Sequence, residues 1–278
     1  MLRLDTHQHF WRYDAAEYDW ISDEMSVLKR DFLPADLLPL LQENGFAGSV
    51  AVQARQNLIE TQWLLDLADE HSFIKGVVGW VDLCSDKVEE SLEPFKEHSK
   101  FVGVRHVIQA EAAGFMLQER FQKGLAKLRD FDLSYDLLTL HHQLEEACEL
   151  VAKFPEQRFI LDHISKPLIK NGALEPWRSH LKKLAKFPNV SCKLSGMVTE
   201  ADWQNWQVAD FEPYLETVLE AFGVNRLMLG SDWPVCTLAG SYKEVMRLTQ
   251  DYIAHLSQDE QTAISGENAL HWYGLNVL

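Results

Sequence analysis

The sequence predicts a TIM-type (β/α)8 barrel that is distorted and carries a long loop after strand one and an extra C-terminal helix. Short β-type runs alternate eight times with amphipathic helical stretches, which is the order of βαβ units around a parallel sheet. The 278 residues fit one large barrel and contain no Pro/Gly/Ser-rich linker, so residues 1–278 are expected to form a single domain. An open doubly wound sheet is the alternative. It usually carries a glycine-rich phosphate turn after the first strand, and His7-Gln8-His9 occupies that place here.

The predicted strands are short apolar runs bounded by turns or helical segments. They occupy residues 3–7, 48–53, 75–81, 102–107, 133–138, 158–162, 190–194 and 226–230. The amphipathic stretches predict helices at residues 34–44, 58–71, 87–98, 119–131, 143–154, 174–187, 211–222 and 242–253. In the first of these, Pro34 suits an early helical position, leucines recur on one side, and Gly45 ends the helix. A capping box that begins at Ser257 opens one more helix.

Composition and charge exclude several classes of partner. A net charge of −16 disfavours nucleic acid and anionic lipid, and no concentrated basic run offsets it. No apolar run approaches the roughly 20 residues that span a bilayer, and no secretory signal follows Met1, so a cytoplasmic protein is expected. The expected partner is a small molecule, and a homo-oligomer is compatible with the sequence.

Polar residues collect where the predicted strands end, and in (β/α)8 barrels these ends carry the chemistry. His7 and His9 leave strand one on the same face, because residues two apart in a strand point the same way. Strands four, six and eight end in Arg105-His106, Asp162-His163 and Ser231-Asp232. Taken singly, each has an ordinary explanation: a surface histidine pair, a solvated arginine, a core histidine or a helix-capping aspartate. Together they favour one site, because four separated strands contribute to it.

These residues resemble the amidohydrolase superfamily, whose metal-binding histidines and aspartate occupy the same barrel positions. The match lies in His7-x-His9, in His163 and in the segment from Gly230 to Pro234. Residues 103–106, 161–167, 193–196 and 266–269 further resemble the sugar-lactonase branch, which includes L-fucono- and L-rhamnonolactonases and 2-pyrone-4,6-dicarboxylate lactonase. The resemblance extends end to end. It implies a hydrolase of carbohydrate metabolism that opens a sugar-acid lactone, such as L-fuconolactone or L-rhamnonolactone.

The metal site implied by this resemblance comprises His7, His9, His163 and Asp232. Nitrogen-rich ligation with one carboxylate suits a single divalent ion, zinc above others. Two-metal members of the superfamily place a bridging lysine or glutamate on strand four and another histidine after strand five. Here strand four offers Arg105-His106, and His141-His142 are expected to open the next helix, so a binuclear centre is not expected. Some lactonases of this branch work without metal, which leaves metal-free catalysis open.

In the expected reaction, Asp232 acts as general base toward water while His7, His9 and His163 polarise the lactone carbonyl, directly or through zinc. Asp232 then returns its proton to the ring alkoxide. The residues expected to bind substrate are Arg105, His106, Trp11, Lys166, Lys193 and Trp233. The alternative for each lysine is an ion pair with a neighbouring acid.

Two other functions remain open at the level of sequence. A metal-dependent decarboxylase or hydratase of an unsaturated carboxylate would use similar ligands on the same barrel, and Arg105 would serve either chemistry. A non-catalytic sugar binder could retain the barrel without turnover. Product identification separates the first two reactions from hydrolysis, and an Asp232→Asn variant separates a binder from an enzyme.

Overall fold

A computed structural model describes residues 2–276 of the chain. Within them, eight parallel strands form one sheet in sequence order, each paired with its neighbour along the chain. The predicted barrel is therefore confirmed, with strand ends that differ from the predicted ones by at most two residues. The strands are β1 (Leu4–Gln8), β2 (Gly48–Val52), β3 (Ile74–Gly79), β4 (Phe101–His106), β5 (Ser134–Leu137), β6 (Phe159–Leu161), β7 (Val190–Leu194) and β8 (Leu227–Leu229).

A helix follows each strand, as the amphipathic periodicity predicts. The helices are α1 (Pro34–Glu43), α2 (Leu58–Glu70), α3 (Val88–Leu92), α4 (Glu119–Lys127), α5 (Leu144–Lys153), α6 (Trp177–Leu184), α7 (Val208–Phe222) and α8 (Tyr242–Ile253). Several predicted helices prove shorter because 3-10 turns take up their ends, as at residues 93–95 and 128–131. His141 and His142 lie in another 3-10 turn (His141–Gln143) that leads into α5, as expected.

The extra C-terminal helix is present but interrupted. It consists of α9 (Gln258–Thr262), a π-helical turn (Ala263–Glu267) and α10 (Asn268–Tyr273). The predicted capping box opens α9, where the Ser257 amide donates to Glu260 Oε2 at 2.8 Å. Trp272 and Tyr273 of α10 pack against the inward-facing core of the barrel, which includes Val50 and Val102. No helix within residues 2–276 has the length and apolar character that crossing a membrane requires.

The barrel closes irregularly between β1 and β8. In the described part of the chain no regular ladder joins them, and one isolated bridge connects Gln8 of β1 with Trp233, which follows β8. The buried carboxylate of Asp5 joins them, since it accepts hydrogen bonds from the Ser231 amide at 2.9 Å and from the Ser231 hydroxyl at 2.6 Å. Beyond it, the Asp232 amide donates to the His7 carbonyl at 2.8 Å. The barrel is therefore distorted at this seam, a position that the sequence did not indicate, and the seam contacts hold the exits of β1 and β8 together.

Candidate active site

The four residues expected to bind metal converge at the carboxyl ends of the strands. The Nε2 atoms of His7 and His9 are 3.2 Å apart. Asp232 Oδ1 lies 3.3 Å from His9 Nε2 and 3.8 Å from His7 Nε2. His163 Nε2 lies 3.8 Å from the same carboxylate oxygen. All four side chains are buried, so the spatial convergence inferred from the strand exits is present.

Backbone conformations that are rare for residues with side chains aim two of these groups. Asp232 has φ 57°, and the four residues from His163 to Lys166 all have positive φ. Each such residue costs about 1 to 2 kcal/mol relative to the right-handed conformation, so this turn is maintained by its surroundings. Gly196 packs against it: a Cβ there would lie 2.3 Å from His163 Nδ1, and only glycine fits. The turn carries His163 and Lys166 into the same cavity.

Each imidazole ring is oriented by polar contacts on the edge of the ring that is turned away from the site. His9 Nδ1 lies 2.8 Å from the Val52 carbonyl oxygen, which can only accept, so His9 Nδ1 carries the hydrogen and its Nε2 presents a lone pair. His163 Nδ1 contacts Ser195 Oγ at 2.9 Å. His7 Nδ1 lies 3.2 Å from Asp162 Oδ1 and 3.1 Å from Lys193 Nζ, and Arg105 NH1 contacts His7 Nε2 at 3.3 Å. These contacts orient the His7 ring, and the lone pair of His9 Nε2 faces His7 Nε2 and the Asp232 carboxylate.

This donor set fits a divalent cation. Around a tetrahedral zinc ion with bonds of about 2.0 to 2.2 Å, ligand atoms lie about 3.3 to 3.6 Å apart. His7, His9 and Asp232 form a compact group with separations of 3.2 to 3.8 Å, and His163 approaches this group at Asp232 Oδ1, 3.8 Å away. Burial lowers the pKa of His163 to about 4 and that of His7 well below its usual value. Both imidazoles are therefore neutral near pH 7, which metal ligation requires.

The ionisation of Asp232 is decided by its neighbours. Burial by itself would raise the pKa of this carboxyl group, but His163 is protonated in the acidic range where Asp232 titrates, and its positive charge is the largest of the neighbouring effects that outweigh burial. The pKa of Asp232 consequently falls below its usual range. A carboxylate at this position can ligate a cation or accept a proton from water.

A buried charge network lies beneath His7. Lys193 Nζ is 2.5 Å from Asp136 Oδ2, 2.9 Å from Asp162 Oδ1 and 3.1 Å from His7 Nδ1. Tyr273 completes it with a hydrogen bond of 2.7 Å to Asp136. Lys193 is fully buried and does not line the cavity, so the ion-pair alternative describes it and the expected substrate contact does not. Its role in the structure is to neutralise two carboxylates and support His7.

Arg105 lines the cavity, but its hydrogen-bond donors are engaged within the protein. Nε and NH2 donate to Gln53, at 2.9 Å and at 2.5 to 2.7 Å respectively. NH1 contacts His7 and lies 3.1 Å from Asp162 Oδ2. The paired hydrogen bonds that the Arg105 guanidinium was expected to donate to the substrate are therefore donated to Gln53. Arg105 acts as a support for His7 at the cavity floor.

Three other residues expected to bind substrate do not line the cavity. His106 follows Arg105 in β4 and so points to the opposite face of the sheet, where its ring stacks on Phe115 with centroids 4.9 Å apart. Trp11 is fully buried in the long loop after β1, and its Nε1 donates to the Arg30 carbonyl at 2.9 Å. Trp233 is also buried and packs against aromatic rings of that loop. These residues anchor the loop and the barrel wall.

The cavity above the histidines has a volume of about 630 Å³. Trp20 and Trp203, from the two loops whose aromatic residues suggest pocket walls, lie in its wall. Charged residues that were not singled out from sequence contribute much of the rest: Glu17, Arg55 and Glu200. Arg55 could have been found by the rule used for the other strands, because Gln53-Ala54-Arg55 is the polar exit of β2. Glu200 gives no such signal, since it lies in the 3-10 turn Val198–Glu200 beyond the end of β7.

Comparisons with known proteins give matches over nearly the whole chain. The amidohydrolase family model matches residues 4–275. An L-fucono-1,5-lactonase of Burkholderia multivorans is 42% identical, over 99% of this chain and 96% of its own length. An L-fucono-1,5-lactonase of Burkholderia ambifaria is 34% identical, again over 99% of this chain and 96% of its own. The crystal structure of an amidohydrolase from Burkholderia multivorans with bound zinc has a TM-score of 0.96 at 42% identity, and covers 99% of this chain and 100% of that one.

Proposed function

The chain belongs to the amidohydrolase family, and on that premise we propose that it is a hydrolase that opens a sugar-acid lactone to the free acid. L-fucono-1,5-lactone is the first candidate substrate, because the relatives that match over nearly their whole length carry that name. The observation that carries the proposal is the convergence of three imidazole nitrogens on Asp232 Oδ1 at the floor of the cavity.

We further propose that one divalent ion, zinc, is held by His7, His9, His163 and Asp232. The compact group of His7, His9 and Asp232 supports it, with His163 Nε2 3.8 Å from the Asp232 carboxylate, as does the zinc-bound structure of the similar amidohydrolase. When bound, the ion would supply Lewis-acid polarisation of the lactone carbonyl. The buried charges below His7 keep that ligand oriented, and burial keeps it neutral.

Asp232 performs the proton transfers in this proposal, and His163 is the second catalytic residue. The carboxylate accepts a proton from water as the water oxygen forms a bond to the carbonyl carbon. The ring C–O bond then breaks, and Asp232 returns the proton to the departing alkoxide, so that one water is added overall. His163 faces the same carboxylate oxygen and helps to polarise the carbonyl. A lactone needs less activation than an amide, because its carbonyl carbon is more electrophilic than that of an amide and an alcohol leaves more readily than an amine.

A pH-indicator assay with a panel of aldonolactones tests the proposal. The wild-type protein should release acid from at least one aldonolactone, and Asp232→Asn should reduce that rate by about 100-fold or more. The matched control is Asp251→Asn, an exposed carboxylate on α8, which should leave the rate unchanged. Acid release that survives Asp232→Asn, or a panel without any turnover, would contradict the assignment. Evolution of carbon dioxide from an unsaturated carboxylate would indicate the decarboxylase alternative instead.

A further inference from the structure

Two oppositely charged side chains face the cavity without forming a direct hydrogen bond. Lys166 ends the left-handed turn after β6, and Glu200 ends the 3-10 turn after β7. Lys166 Nζ and Glu200 Oε1 are 3.6 Å apart, whereas a charge-assisted hydrogen bond measures about 2.7 to 2.9 Å. Their side chains are only 19% and 22% exposed. The pair is therefore partly removed from water, and its hydrogen-bonding capacity is not used up.

Most charged groups around the site are fully engaged by the protein, which sets this pair apart. The donors of Arg105 and Lys193 all reach buried protein partners. Among residues 2–276, by contrast, Lys166 Nζ and Glu200 Oε1 have only each other, beyond hydrogen-bond distance. Burial, together with the nearby charge of Asp232, raises the pKa of Glu200 against the opposing effect of Lys166. A carboxylate is costly at this position, so stability does not explain its presence.

We propose that Lys166 and Glu200 form a diol-recognition pair that binds two neighbouring hydroxyl groups of the lactone substrate. Lys166 donates to one hydroxyl oxygen, and Glu200 accepts a hydrogen bond from the other hydroxyl. Two oxygens fit better than one, because a single oxygen about 2.8 Å from both atoms would hold them at a strongly bent angle. This inference rests on the proposed function and assigns its specificity: lactones with adjacent ring hydroxyls are preferred over unsubstituted ones.

An aromatic side chain beside the pair supports a sugar-derived ligand. Trp203 lines the cavity next to Glu200, and its Nε1 donates to the Thr199 carbonyl at 2.9 Å, which fixes the indole ring. A flat apolar ring next to a donor and an acceptor offers one surface for the C–H face of a sugar and two groups for its hydroxyls. The wall between the exits of β6 and β7 thus has the chemistry of a polyol site.

A second ion pair between the same two loops provides a matched control. Lys170 Nζ lies 3.9 Å from Asp202 Oδ2, but the Lys170 side chain is 65% exposed and neither residue lines the cavity. This outer pair links the loops without facing a ligand. Lys170→Met therefore removes a lysine and a loop-to-loop contact of the same kind, while leaving the cavity wall intact.

The test compares kcat/KM for the best aldono-1,5-lactone of the panel with kcat/KM for δ-valerolactone, which has the same ring and no hydroxyl groups. The wild-type protein should prefer the hydroxylated lactone by about 100-fold, since a site built to bind a hydroxyl discriminates against its absence. Glu200→Gln and Lys166→Met should each lower this ratio by about tenfold. Lys170→Met should leave the ratio unchanged. The double variant should lose less than the product of the two single losses, because the two groups contact each other and bind neighbouring hydroxyls of one diol.

The outcomes separate this inference from the proposed function. Equal rates for both lactones in the wild type, or an equal loss for both in Glu200→Gln, would overturn diol recognition while lactone hydrolysis stands. A wild type without turnover of either lactone would overturn both. As a control for folding, the thermal unfolding midpoint of each variant is measured; a midpoint equal to that of the wild type excludes a general loss of structure. A ratio that falls in Glu200→Gln and Lys166→Met but not in Lys170→Met establishes the pair as the specificity determinant.

Discussion

Lys193 Nζ lies 2.9 Å from Asp162 Oδ1, and both side chains are completely buried. With Asp136 and Arg105 they form a set of two cations and two carboxylates directly beneath His7. Such a set is tolerated inside a protein only when it is complete, because an unpaired buried charge keeps its full desolvation cost. The orientation of His7, and with it the geometry of the site, depends on this balance.

Lys193→Met should destabilise the protein strongly. The substitution leaves Asp136 and Asp162 facing each other without the ammonium group between them, and we expect a loss of about 3 to 5 kcal/mol in the free energy of unfolding. Urea denaturation followed by circular dichroism measures it. Adding Asp136→Asn to this variant should recover part of the loss. Lys123→Met, which removes a solvent-exposed lysine of α4, should have no measurable effect. A loss that matches the Lys123 variant would show that the buried set is not stabilised by Lys193.

Asp136 should give the stability of the protein a defined pH dependence. Burial raises the pKa of Asp136 in the folded state to about 6, above the ordinary value of 3.8. The folded state therefore keeps this proton to higher pH than the unfolded state, and the stabilising contribution is complete below pH 3.8 and lost as the pH rises to about 6. As the pH rises over this interval, the free energy of unfolding of the wild type should therefore fall relative to that of Asp136→Asn, by at least about 1 kcal/mol. A difference that is constant with pH would contradict it.

Protein purified without added metal should contain about one equivalent of zinc. Replacing the proposed ligand His9 by Ala should lower that content, whereas His271→Ala, at an exposed position in α10, should not. Elemental analysis by mass spectrometry measures the content, and chelation followed by zinc addition should remove and restore activity. Less than about a tenth of an equivalent, with full activity after chelation, would establish the metal-free alternative.

Ser195→Ala should impair catalysis without unfolding the protein. The hydroxyl of Ser195 holds His163 Nδ1 at 2.9 Å, and loss of such an orienting partner typically costs about 10- to 100-fold in activity or metal affinity. Steady-state kinetics and zinc affinity should both report it. Ser191→Ala is a close control, because Ser191 is equally buried on β7 and its hydroxyl has no hydrogen-bond partner among the described residues. Equal activity of the two variants would remove Ser195 from the positioning scheme.

The barrel and the central site were predictable because both depend on local patterns. Alternating strand and helix periods place every strand exit at one end of a parallel barrel, so His7, His9, His163 and Asp232 had to approach one another once the barrel closed. The error at His106 came from neglecting the same alternation, since adjacent residues of a strand cannot both face inward. Trp11 and Trp233 were misplaced because proximity in sequence to a site residue does not decide which way a side chain points.

Periodicity and residue type are local properties of the chain, and they were enough to predict the fold class, the strand exits and the residues able to ligate a cation. Which charges are buried and which face the cavity depends instead on how distant segments pack in the folded protein. Lys193, near the end of β7, and Lys166, after β6, are both lysines close to strand exits. Lys193 is enclosed among carboxylates, whereas Lys166 faces the cavity beside Glu200. The difference arises from contacts between segments far apart in the chain, and desolvation by those contacts decides whether a lysine supports the structure or remains available to a ligand.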